Sequence, residues 1–238
     1  MQPSSKQVNS APIASSDWDW LARVLHFSDS ALPVGAYAHS FGLEGVCQMG
    51  LVHDKETLRT FLNRDVSTAL VHVDLPLVAK SHEATMDGSH EELVELDQLS
   101  WALRPTRQLR EAASRIGKQQ MQVYQSTWAD AGIPMPELPY HQSPVVLGMF
   151  YAMEYAPIMA AMWSAAYQTY SALLQAALKL LPIGPRATQE LLHAAMTTIQ
   201  GQLEFAREMD SEDIGSFNPI WDIGASQHEH APARLFIS

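Results

Sequence analysis

A single cysteine, Cys47, in 238 residues excludes an internal disulfide and any structural zinc site built on thiolates. Nothing in the composition therefore requires an oxidising compartment. Positive charge is scarce as well: 15 Lys and Arg stand against 26 Asp and Glu, a net charge of −11. A surface of that sign has little to offer phosphate backbones or anionic lipid, so nucleic acid and acidic membranes are excluded as general partners. Charged residues of both signs make up only 17% of the chain, against an ordinary share of about 25%. More surface than usual is therefore either buried or kept for partners.

The motifs of common chemistries are missing too. Three His-Glu dipeptides begin at His82, His90 and His228. None has the second His four residues on that would place two imidazoles on one helix face. There is no Gly-x-Ser-x-Gly elbow. Gly117-Lys118 is followed by Gln inside a helical pattern, so no loop cradles phosphates. Gly42 and Gly45 lack the preceding strand of a dinucleotide site. No stretch alternates with period two for long enough to make a sheet, and no repeat occurs. Residues 1–16 are polar and carry no apolar core of a secretory signal; they are read as a disordered leader.

What is present is apolar and helical in its spacing. Hydrophobic residues make up 47%, with six Trp, seven Tyr, seven Phe and eleven Met, types that suit cores and interfaces alike. The pattern predicts an all-α fold, one globular domain of about eight to ten helices over 17–210. A leader (1–16) and a flexible tail (211–238) flank it. A first helix runs over 17–27, followed by the turn-rich Ser28–Gly35 and a short helix closed by Gly50. Asp54 caps a helix with Leu58, Phe61, Leu62, Val66 and Leu70 on one stripe, and Pro76 opens another in its first turn. Ser89 to Glu92 has the form of a capping box. Further helices are predicted from Pro105 toward Ala131, over 145–156 and 158–181, and from Pro185 to about Met209. Residues 133–144 and those from Ser211 onward read as irregular. The run 144–178 holds one charged residue, Glu154. A membrane span needs about twenty apolar residues, and Glu154, Pro157 and several polar residues interrupt this one, so a buried helical hairpin is expected.

Few residues carry chemistry. Cys47 reads as a small core residue. His228-Glu-His230 reads either as a weak metal-binding pair or as a solvated tail, short of a closed site. Arg107, Glu111, Arg115 and Lys118 share a helix face that either docks an acidic partner or is simply solvated. His39 reads as hydrogen-bonded structure. The small residues Ala160, Ala161, Ala165 and Ala166 lie beside Trp163, Tyr167 and Tyr170 and permit close helix approach. Either core packing or a homodimer interface would use them. The residues alone describe an interaction protein without a catalytic centre. A helical protein binding a small molecule or lipid is the alternative, motivated by the run 144–178.

Ser28-Asp-Ser-Ala-Leu-Pro-Val-Gly-Ala-Tyr-Ala-His-Ser-Phe-Gly-Leu-Glu44 closely resembles the N-terminal signature of the UreF family of urease accessory proteins. Asp213-Ile-Gly-Ser-Phe217, Asp222-Ile223, His228-Glu229 and Arg234-Leu-Phe-Ile-Ser238 resemble its C-terminal elements, in order. Leu75-Pro76, Arg110-Glu-Ala-Ala-Ser114 and Leu180-Leu-Pro-Ile-Gly184 resemble landmarks between. The resemblance implies a cytoplasmic, all-α homodimer that binds the UreD protein (UreH in some organisms) and the UreG GTPase. It acts in GTP-dependent delivery of nickel to apo-urease, with no permanently bound cofactor or metal and with nickel in transit. By the same resemblance, Pro33, Gly35, Tyr37, His39, Ser40, Gly42 and Glu44 help form a surface toward the GTPase and the dimer. His228, Glu229, Arg234, Leu235 and Phe236 belong to a tail that orders on the UreD-type partner.

Overall fold

The computed structural model describes residues 18–35, 39–128, 136–227 and 235–236. Among them there are ten helices and no strand, so the fold is all-α. The helices are α1 (Asp19–Phe27), α2 (Leu43–Gln48), α3 (55–86), α4 (His90–Ala102) and α5 (Arg107–Thr127), then α6 (Ser143–Met153), α7 (Ile158–Leu180), α8 (Pro185–Gln200), α9 (Leu203–Glu208) and α10 (Pro219–Gln227).

Helix α3 begins as the sequence predicts. The Asp54 carboxylate accepts the Thr57 N–H at 2.8 Å, and the Thr57 hydroxyl accepts the Asp54 N–H at 3.0 Å, so two otherwise orphaned donors are satisfied reciprocally. It does not end before Pro76, where two helices were expected. Helical backbone continues through two π segments, Leu62–Val66 and Leu70–Asp74. A proline inside a helix lacks the N–H for the carbonyl four residues back and crowds it. The wider π turn just before Pro76 lets the chain pass that carbonyl, on His72, without breaking.

Ser89 does not form the expected capping box: its side chain makes no cap bond to α4. Its backbone is committed to closing α3, with the Ser89 N–H on Ala84 O at 2.8 Å and Gly88 at φ 71°. That is a glycine-dependent helix stop, and it leaves Ser89 outside the extended geometry of a cap.

The core is built around α6. Nine consecutive residues, Pro144–Ala152, are buried, because α3, α4, α5 and α7 all pack on this helix. Full burial of its large side chains is worth about 1.5–3 kcal/mol each. At Gly148 a β-carbon would overlap the Val78 carbonyl and the Ser81 hydroxyl, so the missing side chain sets the approach of α6 to α3. The apolar run is thus the buried hairpin α6–α7. No helix among the described residues is long and apolar enough to cross a membrane.

A buried carboxylate fixes the entry to α6. Asp97 on α4 is fully buried and accepts the backbone N–H groups of Tyr140, His141 and Gln142 at 2.6, 3.0 and 2.6 Å. The Tyr140 ring stacks on Trp101 at 4.4 Å. Gly117 of α5 admits the His141 carbonyl where a β-carbon would overlap it.

The segment after Ser211 departs from the irregular reading. A short 3-10 turn, Ser211–Asp213, leads through 214–218 into α10. Pro219 stands in the first helical turn, where its missing N–H costs nothing. Trp221, Gly224 and Ala225 turn inward against α2.

Candidate functional site

The two signature segments meet. Phe41 (φ 50°) and Gly42 (φ 82°) take left-handed backbone in succession ahead of α2, a strained arrangement for a phenylalanine. It persists because the Phe41 carbonyl accepts the indole N–H of Trp221 on α10. The Trp221 ring meets Phe61 of α3 edge-on at 5.7 Å. At Gly42 a β-carbon would lie 3.0 Å from both Ala225 and the Trp221 ring, and at Gly45 it would overlap the Gly224 carbonyl. Helices α2 and α10 therefore touch through backbone, as only small residues permit.

The C-terminal segment also closes the two π segments of α3. The Gly215 N–H donates to His72 O at 2.9 Å, the carbonyl that Pro76 cannot serve. The Asn218 amide donates to the Asp65 carbonyl, inside the first π segment, at 2.7 Å. Both donors come from 215–218. Beyond α10 the buried Glu44 carboxylate accepts the Leu235 N–H at 2.9 Å. The Lys179 ammonium lies 5.1 Å from the centre of the Phe236 ring, a cation–π contact.

The expected partner-facing residues divide. Pro33 and Gly35 are exposed, as is Leu235 at 67%. His39, Ser40, Gly42 and Glu44 are buried in the free chain. Of these four, Gly42 packs on Ala225 and Trp221 and Glu44 holds the Leu235 N–H, so both are engaged with the chain's own C-terminal end. Phe236 is buried as well. Tyr37, His228, Glu229 and Arg234 lie outside the described residues, as does His230.

On α7, Tyr167 is exposed and Trp163 half-buried. Tyr170 is fully buried and shares a 2.6 Å hydrogen bond with Ser67, and burial raises its phenol pKa. Tyr170 thus packs in the core of the single chain. On α5, Glu111 pairs with Arg115 at 3.7 Å beside the exposed Lys118. The Cys47 thiol is pushed up to about 11, first by burial and then by the Glu44 charge, which makes it a poor nucleophile. Among the described residues no three His, Cys, Asp or Glu side chains group as metal ligands.

Asn218, Trp221 and Gly224 were not singled out from the sequence, and Gly45 and Gly215 were noted without a role at this junction. The signal was available in part: Gly42 and Gly45 fall on one helix face, and Gly224-Ala225 offers a second small surface for it.

Fold and junction together define an all-helical protein whose distinctive residues are spent on docking one chain end against the other. The family model described as UreF matches residues 52–196. Over 231 residues the chain is 29% identical to the urease accessory protein UreF of Granulibacter bethesdensis, covering 96% of this chain and 98% of the relative. It is 30% identical over 226 residues to the urease accessory protein UreF 2 of Brucella canis, covering 92% of each. Against the urease accessory protein UreF of Corynebacterium efficiens it is 28% identical over 225 residues, covering 90% of this chain and 95% of that one. The chain belongs to the UreF family of urease accessory proteins.

Proposed function

We propose that this protein is a non-catalytic scaffold of urease maturation. It bridges a UreG-type GTPase and a UreD-type protein in the cytoplasm while nickel is delivered to apo-urease. Nickel passes as cargo and has no permanent site on this chain. The chain acts as a homodimer, with Tyr167 and Trp163 on α7 as contacts. The observation that carries the reading is the junction: both terminal signatures of the family are spent on one packed structure, which presents Leu235 at the surface beside the buried Phe236. An exposed apolar residue on a clamped chain end is suited to anchor a partner.

The test is co-purification of the full chain with its cognate UreD-type protein and GTPase, compared with the Leu235→Asp variant. The variant is expected to stay folded and to lose the UreD-type partner. An intact complex moves the docking surface elsewhere on the chain. Failure of the full-length chain to form any complex overturns the scaffold role.

A further inference from the structure

Between α3, α5, α6, α7 and α10 lies a cavity of about 170 Å³. An aliphatic cavity of roughly 150 Å³ is enough to take up benzene. Its walls are largely apolar, with Val73, Leu109, Ile116, Leu147, Ala165 and Trp221 among them. Three charged side chains reach it: Asp74, Arg104 and Asp222. Asp74 and Arg104 pair with each other, and Arg104 also donates to the Ser100 carbonyl and hydroxyl at 2.8 Å each. Their charges cancel.

Asp222 is different. It stands half-buried in the first turn of α10, and no cation among the described residues lies within ion-pair distance of its carboxylate. Burial raises its pKa with nothing set against it. The net charge of the lining is thus −1, carried by Asp222, which has no ion-pair partner among the described residues, and the Trp221 ring lines the same cavity. A half-buried charge without a partner is costly, and the helix dipole at this turn offsets only part of that cost. A carboxylate, an aromatic ring and apolar walls together select an organic cation. A metal ion would find one carboxylate and neither imidazole nor thiolate in the lining. A neutral guest would leave Asp222 unpaired.

We propose that this cavity binds an organic monocation, an alkylguanidinium or alkylammonium group with its chain against the apolar walls and its charge on Asp222. The group is either a free small molecule or the tip of a basic side chain brought by a partner. The proposal stands independently of the scaffold role.

The test titrates the full chain with n-butylguanidinium and, as neutral isostere, with n-butylurea. Binding is followed by calorimetry and by the Trp221 indole N–H resonance. Saturable binding of the cation alone is expected, at least tenfold weaker in Asp222→Asn and unchanged in Asp210→Asn, an exposed control. The Asp222→Asn variant should unfold at the same or a higher temperature, since it sheds an unpaired charge. A lower unfolding temperature with binding intact would make Asp222 a purely structural helix-end acid. A second variant, Ala172→Leu, fills the cavity from α7 and should abolish binding without touching the carboxylate. Equal affinity for the urea, no saturable binding by the parent chain, or tighter binding of nickel(II) than of the guanidinium overturns the proposal. Native mass spectrometry of the purified chain separates the two sources. A retained small cation marks a free ligand. An empty chain whose Ala172→Leu variant fails to assemble with partners marks a basic side chain.

Discussion

Gly45 and Gly224 meet backbone to backbone, so that a single methyl group on Gly45 would overlap the Gly224 carbonyl. Gly45→Ala therefore forces α2 and α10 apart. Overpacking of this kind costs about 1–3 kcal/mol, and denaturant unfolding followed by tryptophan fluorescence reads it. Gly201→Ala is the control. Nothing lies within 4 Å of the added carbon, and a gain of about 0.4–1 kcal/mol is expected there.

The docked segment 215–218 gives a second prediction. Asn218→Leu removes the hydrogen bond from the Asn218 amide to the Asp65 carbonyl. The cost is about 1 kcal/mol. Amide exchange at Gly215, whose N–H is held on His72, is expected to speed up in the variant. Unchanged exchange would show that the segment stays docked without its side-chain anchor.

A pH dependence follows from His82. Burial holds its pKa below the usual histidine value, against smaller opposite effects of the Ala156 carbonyl and Glu83. The unfolded chain therefore takes up a proton first as pH falls. Stability from this residue is fully present above about pH 6.5 and is lost as pH drops through the depressed folded value. His82→Gln keeps a donor for the Ala156 carbonyl, which His82 meets at 2.8 Å. Its unfolding temperature is expected to fall less than the parent's between pH 7.5 and 5. Parallel curves would mean that His82 does not titrate differently in the two states.

Asp97 is the fourth case. Asp97→Asn keeps one acceptor oxygen but turns an amide NH₂ toward backbone N–H groups that now bond to a carboxylate. With charged hydrogen bonds worth about 1.5–3 kcal/mol each, a loss of ~3 kcal/mol is expected in denaturant unfolding. A loss below 1 kcal/mol would show that the 140–142 turn is held by its other contacts.

Local chemistry made much of this fold legible. The Asp54 cap, the stop at Gly50 (φ 73°) and the start at Pro185 each depend on one residue's backbone or side chain. The buried hairpin could be read from the near absence of charge in 144–178. Pro76 misled because a proline in a first turn and a proline behind a π turn look alike in sequence. Ser89 misled because the residue closing one helix was counted as the cap of the next. Tyr170 shows a third limit: small residues beside aromatics describe a packed core and a subunit interface equally well. The resemblance marked both signature segments, but their mutual contact was not legible. Phe41 and Trp221 stand 180 positions apart, and no local periodicity encodes that pairing. The bonds from Gly215 and Asn218 to the two π segments are equally silent in sequence.

That separation bears on how the protein is made. Segments so far apart close a large loop when they meet, and such contacts form late. During synthesis the N-terminal half emerges first. Gly42, Gly45 and the carbonyls of Asp65 and His72 must wait without their C-terminal partners until nearly the whole chain has left the ribosome. A chain cut short before Gly215 would keep most of its core yet never cover that face. The junction thus distinguishes a finished molecule from an unfinished one.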